Sequence, residues 1–498
     1  MAVDKYGNVY ATGGSIGVGT EWDFATVKYN SAGILQWIAR YDGPLHSWDV
    51  AAAIAVDDSG NFFVAGTSVD LGSISVLATI KYNAAGETVW VRKYDREGHG
   101  SEAKGIALDR LGNICVTGCY YGAGTGANYL TIKYSQAGET LWVRTYNGEF
   151  NDDDEPTAID VDSAGNVYVG GSSYDYQPAY DFLMIKYSPT GETLWVRRTP
   201  RPQRSFEWAC AMAVDSAGNA VLTGSTVVPG NRDWFTVKYN PLGDTTWTEQ
   251  YVNPPYYDEA CDVELDERGY VYVTGEAADT FDNPNIRTVK YSPTGETVWV
   301  RDYDGTLHSD DHGRGITLDK IGNVYVTGST MDSVSHWQNW ITLKYDPQGE
   351  LRWLTTYNGL GDRSDEARFI AVDTSGDVIV AGVSWVFGAE SDYTIIKYQQ
   401  IVNVEEGGGN LSARPLLTVS PNPFRDRTVI RCAVPGQGSV SLKIYDVTGR
   451  VVATVKNKVE AAGVYNLQWD AKNMANGVYF VELEAGTYLN RKKVVLVR

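Results

Sequence analysis

The sequence predicts an all-β protein: a β-propeller of four-stranded blades followed by a small immunoglobulin-like (Ig-like) β-sandwich. Two observations point to the propeller, namely a motif that recurs eight times and four short β-rich runs within each copy. The motif reads Ala-Val-Asp-x-x-Gly-Asn-x-x-Val-x-Gly with small substitutions, and successive copies lie 51 to 54 residues apart. Its aspartates are Asp4, Asp57, Asp109, Asp162, Asp215, Asp266, Asp319 and Asp373.

A second motif follows the same period. Each copy contains a Lys-Tyr pair, and all copies but the last continue with x-x-x-Gly-x-x-x-Trp. The lysines are Lys28, Lys81, Lys133, Lys186, Lys238, Lys290, Lys344 and Lys397. Because one tryptophan per copy keeps a fixed phase, we expect these tryptophans to pack between blades.

Each copy predicts four antiparallel strands, which we term a, b, c and d. In the copy from Glu155 to Arg198, Asp-Ser-Ala-Gly follows the first run and Ser-Pro-Thr-Gly follows the third. The terminal glycine of each suits the positive φ of a type I turn with a bulge. These tight turns all lie at one end of the strands, the turn rim, and the longer b–c and d–a loops lie at the other, the loop rim. We expect any ligand site on the loop rim, because variable loops carry function on a repeating scaffold.

The array lacks strands at both ends. The first copy opens inside strand a at Met1, and the last ends after strand c at Tyr398, without a tryptophan-bearing strand d. Closure of eight blades needs a strand d from upstream of Met1. We therefore expect the natural protein to begin earlier, with a signal peptide and another strand.

Composition excludes some functions. The 42 basic and 62 acidic residues give a net charge of -20, which argues against binding to a phosphate backbone, so no nucleic acid partner is expected. No apolar run approaches the ~18 residues of a membrane-spanning helix, so we expect no integral membrane segment. The five cysteines have no regular spacing and predict neither a zinc site nor a disulfide framework.

The repeated aspartates and lysines predict a structural role. The aspartate caps its turn by accepting backbone N–H bonds, while the lysine lays its stem on the sheet and its ammonium group finds a carboxylate or carbonyl. A ring of lysines that binds an anion in the central channel is the alternative. The representative positions are Asp57, Lys81, Asp109, Lys133, Asp162 and Lys186.

Acidic residues recur seven or eight positions before the repeated aspartate, at the start of strand a. Solvated charges explain them most simply, and a calcium or substrate-cation site is the alternative. They are Asp49, Glu102, Glu155, Glu207, Glu259, Asp311 and Glu366.

All five histidines fall in predicted b–c or d–a loops: His46, His99, His308, His312 and His336. His308, Asp310, Asp311 and His312 combine two imidazoles with two carboxylates, the groups that bind a divalent metal or transfer protons. The polarity of loops alone also explains this grouping. We identify no catalytic residue, and no cofactor beyond this candidate divalent metal.

Aromatic residues in the predicted loops could stack on sugar rings or anchor a protein partner. Packing of the loops against one another is the alternative. The candidates are Trp48, Tyr120, Tyr121, Tyr174, Tyr256, Tyr257, Trp337, Trp340 and Trp385.

The repeats resemble the beta-propeller repeat (SBBP) proteins, whose units carry the same Gly-Asn-Val-Tyr-Val-Thr-Gly and Lys-Tyr-x-x-x-Gly-x-x-x-Trp pattern. The resemblance covers about residues 1–398. It implies the propeller architecture and no common catalytic residues. The family implies seven blades, whereas the chain has eight copies, so both counts stay open at this point.

Residues 399–415 lose the repeat and contain Glu-Glu-Gly-Gly-Gly-Asn, which indicates a linker. Residues 416–498 contain about seven β-rich runs separated by turns, a pattern typical of a small Ig-like sandwich.

Four motifs in this tail resemble the C-terminal sorting domain of the type IX secretion system: Ser-Pro421-Asn422-Pro423-Phe, Tyr-Asp446-Val-Thr-Gly449-Arg, Gly477-Val-Tyr-Phe-Val and Arg-Lys492-Lys493-Val-Val. The resemblance implies that 416–498 is recognised by the type IX machinery and that the protein is secreted or left on the outer cell surface.

Taken together, the sequence predicts a secreted or cell-surface propeller that binds a glycan or protein on its loop rim without catalysis. A secreted carbohydrate-active or metal-dependent hydrolase is one alternative, and a purely structural surface protein is another.

Overall fold

The computed structural model contains two compact units, Met1–Gln400 and Ile401–Arg498. It describes every residue except 18, 71–73, 96–97, 176–178, 200–204, 229–230, 253–256, 280–282, 306, 332–336, 360–362, 386–390, 401–416, 421, 423, 435–437, 448, 461–462, 486–487 and 498.

The first unit consists of eight antiparallel sheets, which we number blades 1 to 8 in chain order. Blades 1 to 4 contain β1 (Ala2–Val3), β2 (Val9–Ile16), β3 (Trp22–Tyr29), β4 (Leu35–Tyr41); β5 (Asp49–Val56), β6 (Phe62–Asp70), β7 (Ile74–Tyr82), β8 (Thr88–Tyr94); β9 (Ser101–Leu108), β10 (Ile114–Tyr121), β11 (Ala127–Tyr134), β12 (Thr140–Tyr146); and β13 (Asp154–Val161), β14 (Val167–Asp175), β15 (Ala179–Tyr187), β16 (Thr193–Thr199).

Blades 5 to 8 continue the same order. They contain β17 (Phe206–Val214), β18 (Ala220–Val228), β19 (Asn231–Tyr239), β20 (Thr245–Tyr251); β21 (Glu259–Leu265), β22 (Val271–Ala278), β23 (Pro284–Tyr291), β24 (Thr297–Tyr303); β25 (His312–Leu318), β26 (Val324–Met331), β27 (Gln338–Tyr345), β28 (Leu351–Tyr357); and β29 (Asp365–Val372), β30 (Val378–Trp385), β31 (Ser391–Tyr398). The all-β propeller fold is confirmed, and the described residues form eight blades.

The strands of each blade pair in sequence order, so every blade is a meander. The first strands of neighbouring blades contact one another, which places strand a at the centre of the ring and strand d at its outside. The a–b and c–d turns therefore share the turn rim, and the b–c and d–a loops share the loop rim.

The repeated aspartate organises each a–b turn. In blade 2, Asp57 Oδ1 accepts the backbone N–H groups of Ser59 and Asn61, and Gly60 has a φ of 79°. Inside the ring the aspartate also meets the repeated lysine: Lys133 Nζ lies 2.8 Å from Asp109 Oδ2, and both side chains are buried. These contacts stabilise the turn rim.

Neighbouring blades are joined by the repeated tryptophan and lysine. Trp142 Nε1 and Lys133 Nζ both donate to the carbonyl of Pro189, the second residue of the c–d turn in the next blade. Trp195 and Lys186 do the same at Pro241. The outer strand of one blade is thereby tied to the c–d turn of the next.

Blade 8 packs against blade 1 and completes the ring. Lys397 Nζ donates to the carbonyl of Ser31 at 3.0 Å, and the Tyr393 hydroxyl donates to the carbonyl of Gly14. Blade 8 has three described strands, and blade 1 begins with the two residues of β1.

The second unit is a two-sheet sandwich around one core. Its strands are β32 (Leu417–Ser420), β33 (Arg427–Val434), β34 (Gly438–Asp446), β35 (Val451–Glu460), β36 (Gly463–Asp470), β37 (Gly477–Ala485) and β38 (Tyr488–Leu496). They form sheets of order β32-β33-β36 and β35-β34-β37-β38. The buried core includes Phe424, Ile430, Leu442 and Trp469. The strand count matches the prediction, and the Ig-like topology stays a prediction.

None of the described residues forms a helix with the length and apolarity that a membrane crossing requires.

Candidate functional site

Aromatic side chains are exposed at several points of the loop rim. Trp48 lies in a d–a loop, Tyr257 lies at the end of another, and Trp337 and Trp385 flank the b–c loops of blades 7 and 8. All four were predicted as loop aromatics. They present flat apolar surface to solvent in four places around the rim.

Two other predicted loop aromatics are instead part of the core. Trp340 and Tyr120 are 0% and 8% exposed, because β27 and β10 extend further into the predicted loops than the sequence pattern indicates. Trp340 Nε1 donates to the carbonyl of Val383 in the next blade. Their prediction as exposed loop residues is therefore wrong.

The remaining aromatic candidates lie in different surroundings. The Tyr121 hydroxyl donates to Glu102 at 3.0 Å, and burial followed by that carboxylate raises the pKa of Tyr121. Tyr174 is partly buried in an aromatic cluster where blade 4 meets blade 5. Tyr256 lies outside the described residues.

An aromatic cluster that was not predicted lies where blade 4 meets blade 5. The ring of Tyr180 is 4.3 Å from that of Trp208, 5.4 Å from that of Tyr174 and 6.3 Å from that of Phe206. Burial, then the charges of Asp153, Glu155 and Asp152, raise the pKa of Tyr180 to about 12. The cluster combines apolar rings with a negative surrounding potential. Of its residues only Tyr174 was predicted as a ligand-binding candidate, because the other three read as parts of strands.

The predicted group of His308, Asp310, Asp311 and His312 is divided among different partners. His308 is exposed, and its Nδ1 lies 2.5 Å from Asp304 Oδ2, a contact that raises the pKa of His308. The carboxylate of Asp311 is buried and accepts the N–H of Gly305 at 2.5 Å.

His312 Nδ1 lies 2.9 Å from Glu276 Oε1. This histidine is the first residue of β25, so its prediction as a loop residue is wrong. For Asp310, which lies between strands, no contact is described. Each of the other three side chains has its own partner, and no shared ligand position joins them.

Charged residues of blades 5 to 8 form a group of ion pairs near the loop rim. Arg314 lies 2.9 Å from Glu276 and 3.3 Å from Glu366, and Arg232 lies 3.1 Å from Glu259. Burial would raise the pKa of Glu276, but the contact with His312 and the arginine charges outweigh it, and the pKa is lowered. We call these six residues, His312 included, the channel-mouth network. His312, Glu259 and Glu366 were predicted singly, but their grouping was not, since the members lie up to 134 positions apart between Arg232 and Glu366.

Two cysteines adjoin this network. Burial raises the pKa of Cys261 to about 12, and it also raises that of Cys210. Both thiols are therefore protonated near neutral pH, which makes them poor nucleophiles.

Deeper in the ring, three carboxyl groups lie on first strands. Burial raises the pKa of Asp160 and of Asp262 to about 6. Asp160 accepts the N–H of Val214 and Asp262 that of Ile316, each from the first strand of the following blade. Burial, then the nearby charges of Asp262 and Asp160, raise the pKa of Glu264 to about 8.

One group of acidic side chains among the described residues has the spacing of metal ligands. An oxygen of each of Asp23, Asp42 and Asp49 lies within 4.8 Å of the others. Asp49 belongs to the predicted strand-entry acids, whereas the other two were not predicted.

In the C-terminal unit, the Pro-Asn-Pro motif meets the basic end of the chain. The side chain of Asn422 donates to the carbonyl of Lys493 and accepts the N–H of Val495. Pro421 and Pro423 themselves lie outside the described residues.

The other motif positions of this unit are in turns and on the surface. Asp446 and Gly449 form a tight turn in which Gly449 has a φ of 82°, and Gly477 begins β37. The side chains of Lys492 and Lys493 are exposed on β38.

Comparison with protein families agrees with this division. Residues 418–497 match the model of the secretion system C-terminal sorting domain, and residues 142–176 and 303–331 match that of the beta-propeller repeat. The chain thus consists of beta-propeller repeats followed by a type IX C-terminal sorting domain. It is a protein of the secreted or cell-surface class.

No curated protein matches the sequence. Among solved structures, PorZ of Porphyromonas gingivalis, described as an essential bacterial surface component of the type-IX secretion system, is 12% identical. The match covers 96% of this chain and 74% of PorZ, with a TM-score of 0.34.

The periplasmic gluconolactonase PpgL of Pseudomonas aeruginosa is also 12% identical, over 81% of this chain and 98% of that one, with a TM-score of 0.40. A polysaccharide lyase, the PL25 ulvan lyase, is 10% identical over 79% and 90%, with a TM-score of 0.42. At this level of similarity, none of these structures informs the activity of the present chain.

Proposed function

We propose that this chain is a binding scaffold on the cell surface or in the medium, and that its loop rim takes a glycan or protein ligand without catalysis. The observation that carries the proposal is the set of exposed aromatic side chains on that rim. Rings of this kind stack on sugars and anchor protein interfaces, because they bury a large area at a small cost in conformational entropy. The net charge of -20 favours neutral or cationic ligands over polyanions.

The loop rim offers several attachment points around the ring. Trp48, Tyr257, Trp337 and Trp385 belong to blade boundaries or loops that are far apart in sequence. A long glycan or an extended protein surface could touch several of them at once, and such multivalent contact raises affinity without a deep cavity.

The test uses the full-length protein on a glycan array and in pull-downs from the surface fraction of the native host. We expect Trp48→Ala/Trp385→Ala to weaken binding at least tenfold, that is by about 1.4 kcal/mol or more. Tyr6→Ala is the control, because Tyr6 is at least as exposed as the two tryptophans but lies in an a–b turn on the opposite rim. Equal binding by the wild type and the tryptophan variant would contradict the proposal, and absence of any ligand would favour a purely structural surface protein.

A secreted hydrolase is the second candidate, and the channel-mouth network is the observation that favours it. Catalytic sites bring polar groups from separate elements to one place, and this network does so from blades 5 to 8. In contrast to a poised catalytic pair, its acids and bases are already joined in ion pairs. Polysaccharide and lactone hydrolysis assays on the wild type and Glu276→Gln separate the two candidates, since only an enzyme would lose turnover in the variant.

For export, we propose that the exposed basic end of β38 is part of the surface that the type IX machinery recognises. Lys493 and Arg491 border a groove of about 530 Å³ with Tyr445 and Phe480. Reversing the charge in Lys493→Glu should reduce surface delivery in a type IX host. Lys472→Glu is the control, because Lys472 belongs to the same unit but does not line the groove. Equal delivery of all three proteins would refute this role.

A further inference from the structure

Three carboxylates from separate segments meet where blade 1 joins blade 2 on the loop rim. Asp23 lies at the start of β3, Asp42 directly follows β4, and Asp49 begins β5. An oxygen of each lies within 4.8 Å of the others. Three negative charges this close repel one another strongly unless a cation neutralises them.

Each carboxylate uses one oxygen for a protein contact. Asp23 Oδ2 accepts from Arg40 at 3.3 Å and from Thr20 at 3.1 Å. Asp42 Oδ2 lies 2.5 Å from His46 Nδ1, and Asp49 Oδ2 accepts the N–H of Gly43 at 2.6 Å.

The second oxygen of each carboxylate is buried and has no hydrogen-bond partner among the described residues. This holds for Oδ1 of Asp23, Asp42 and Asp49, and Asp23 and Asp49 are only 4% and 0% exposed. A buried carboxylate oxygen without a partner is costly. Three such oxygens on carboxylates this close together point to a bound cation.

The hydroxyl of Ser68 adds a fourth oxygen. A Cβ atom on Gly43 would meet Asp49 Oδ1 at 2.7 Å and Ser68 Oγ at 2.9 Å, so both atoms border the same point. Elsewhere the equivalent serine donates to the equivalent acid: Ser173 to Asp154 and Ser384 to Asp365. Ser68 makes no such bond and is fully buried.

The other blade boundaries serve as internal comparisons. The residues equivalent to Asp23, Asp42 and Asp49 in other blades follow from the register of strands c and d and from the d–a loop after them. Their equivalents are Asn128, Asn147 and Asp154; Asn285, Asp304 and Asp311; and Asn339, Asn358 and Asp365. Amides replace one or two carboxylates in each of these sets. Of the four boundaries compared, only the boundary between blades 1 and 2 therefore has carboxylates at all three positions.

We propose that Asp23, Asp42 and Asp49, with Ser68, bind a calcium ion. The available ligands are all oxygens, which favours a hard cation over zinc. Calcium accepts six to eight oxygens in flexible geometry, whereas magnesium requires a near-ideal octahedron. The ion neutralises the carboxylates and joins the c strand and d–a loop of blade 1 to the first strand of blade 2.

The test is a calcium titration of the full-length protein after chelator treatment, followed by calorimetry and by thermal unfolding. We expect one calcium ion per chain and a rise in Tm with calcium. Asp23→Asn/Asp42→Asn should weaken binding at least about tenfold, because it leaves one of the three carboxylates. This pair gives the residues found at 128 and 147 beside Asp154 and removes two of the three repelling charges, so its Tm in chelator should be no lower than that of the wild type.

A reciprocal variant makes the same point by gain of function. Asn128→Asp/Asn147→Asp places three carboxylates at the boundary of blades 3 and 4, and it should bind a second calcium ion. If the Asp23 and Asp42 double variant fails to fold, Asp42→Asn alone replaces it, since Asp42 lies outside the strands and is partly exposed.

The proposal is overturned if the wild type shows neither calcium heat nor a shift in Tm. It is also overturned if the folded Asp23 and Asp42 variants bind calcium as the wild type does, or if the folded reciprocal variant gains no second ion. Calcium binding does not depend on the ligand proposed for the loop rim, so either proposal can fail without the other.

Discussion

The two rims of the propeller are built from the same strands, but they use their polar groups differently. At the turn rim, repeated lysines and aspartates form buried ion pairs within a blade, as with Lys133 and Asp109 or Lys186 and Asp162. At the loop rim, aromatic rings face solvent, and the buried Oδ1 atoms of Asp23, Asp42 and Asp49 have no hydrogen-bond partner among the described residues. The residues that repeat from blade to blade are therefore those whose contacts stabilise the ring. The residues that vary are those whose groups remain available for ligands.

The largest expected effect tests the turn rim. Asp109→Ala leaves the ammonium group of Lys133 buried without its carboxylate, so we expect a loss of about 3–5 kcal/mol in the free energy of unfolding. Urea denaturation of the full-length protein measures it. Asp58→Ala is the control, because Asp58 lies in the equivalent turn of blade 2 with its side chain almost fully exposed. A loss below about 1 kcal/mol for Asp109→Ala would remove the distinction between the rims.

A second prediction concerns a closely packed point of the loop rim. A methyl group on Gly43 would lie 2.7 Å from Asp49 Oδ1, so Gly43→Ala should cost about 1–3 kcal/mol through overpacking. The equivalent Gly148 has more room, with 3.1 Å to Asp154 Oδ1, and Gly148→Ala should cost less. Equal losses in urea denaturation would show that the crowding around Asp49 has no energetic consequence.

A third prediction concerns how the stability of the protein depends on pH through a carboxyl group between the two rims. The pKa of Glu264 is raised to about 8, so the folded state holds this proton while the unfolded chain has released it above about pH 4.3. Rising pH therefore favours the unfolded state until the pH passes about 8, and the Tm should fall by a few degrees between pH 6 and 8. Glu264→Gln should flatten this part of the pH profile. An identical slope in wild type and variant would assign the effect to other groups.

The smallest expected effect belongs to an exposed ring of the loop rim. Trp385→Ala should change the free energy of unfolding by no more than about 0.5 kcal/mol, because this side chain is exposed. Trp195→Ala is its counterpart near the turn rim and should cost about 3–5 kcal/mol, because Trp195 is buried and donates to Pro241. Similar losses for the two variants in urea denaturation would mean that Trp385 has a structural role.

The sequence was sufficient for the parts of the fold that depend on local chemistry. The repeated Asp-x-x-Gly predicts the a–b turns, since the aspartate and the positive-φ glycine act within five residues, as at Asp57 and Gly60. The fixed phase of the tryptophans predicts packing between blades for the same reason.

What the sequence could not predict depends on where strands end and which blades meet. Trp340 was predicted as a loop residue, but it pairs with Ser329 of β26 as part of strand β27, and its side chain is buried in the core. The carboxylates of the proposed calcium site come from three segments, which meet when strands c and d of blade 1 pair and blade 2 packs against blade 1. A signal does exist, since alignment of the repeats shows aspartate at positions 23 and 42 where blades 3 and 7 have asparagine. For the channel-mouth network the repeats point only to Glu259 and Glu366 and not to their partners, because the network spans four blades.

The bonds from tryptophan to the next c–d turn determine which positions of the repeat are free to change. The acceptor is a backbone carbonyl, so the side chain of the residue that supplies it has no part in the bond. Alanine, glutamine and proline all occupy this position, at Ala84, Gln136 and Pro189. Proline is acceptable even though it lacks an N–H group, because only its oxygen is used. The joints between blades are therefore insensitive to mutation on the acceptor side, and on the donor side they depend on side chains, as with Trp142 and Lys133.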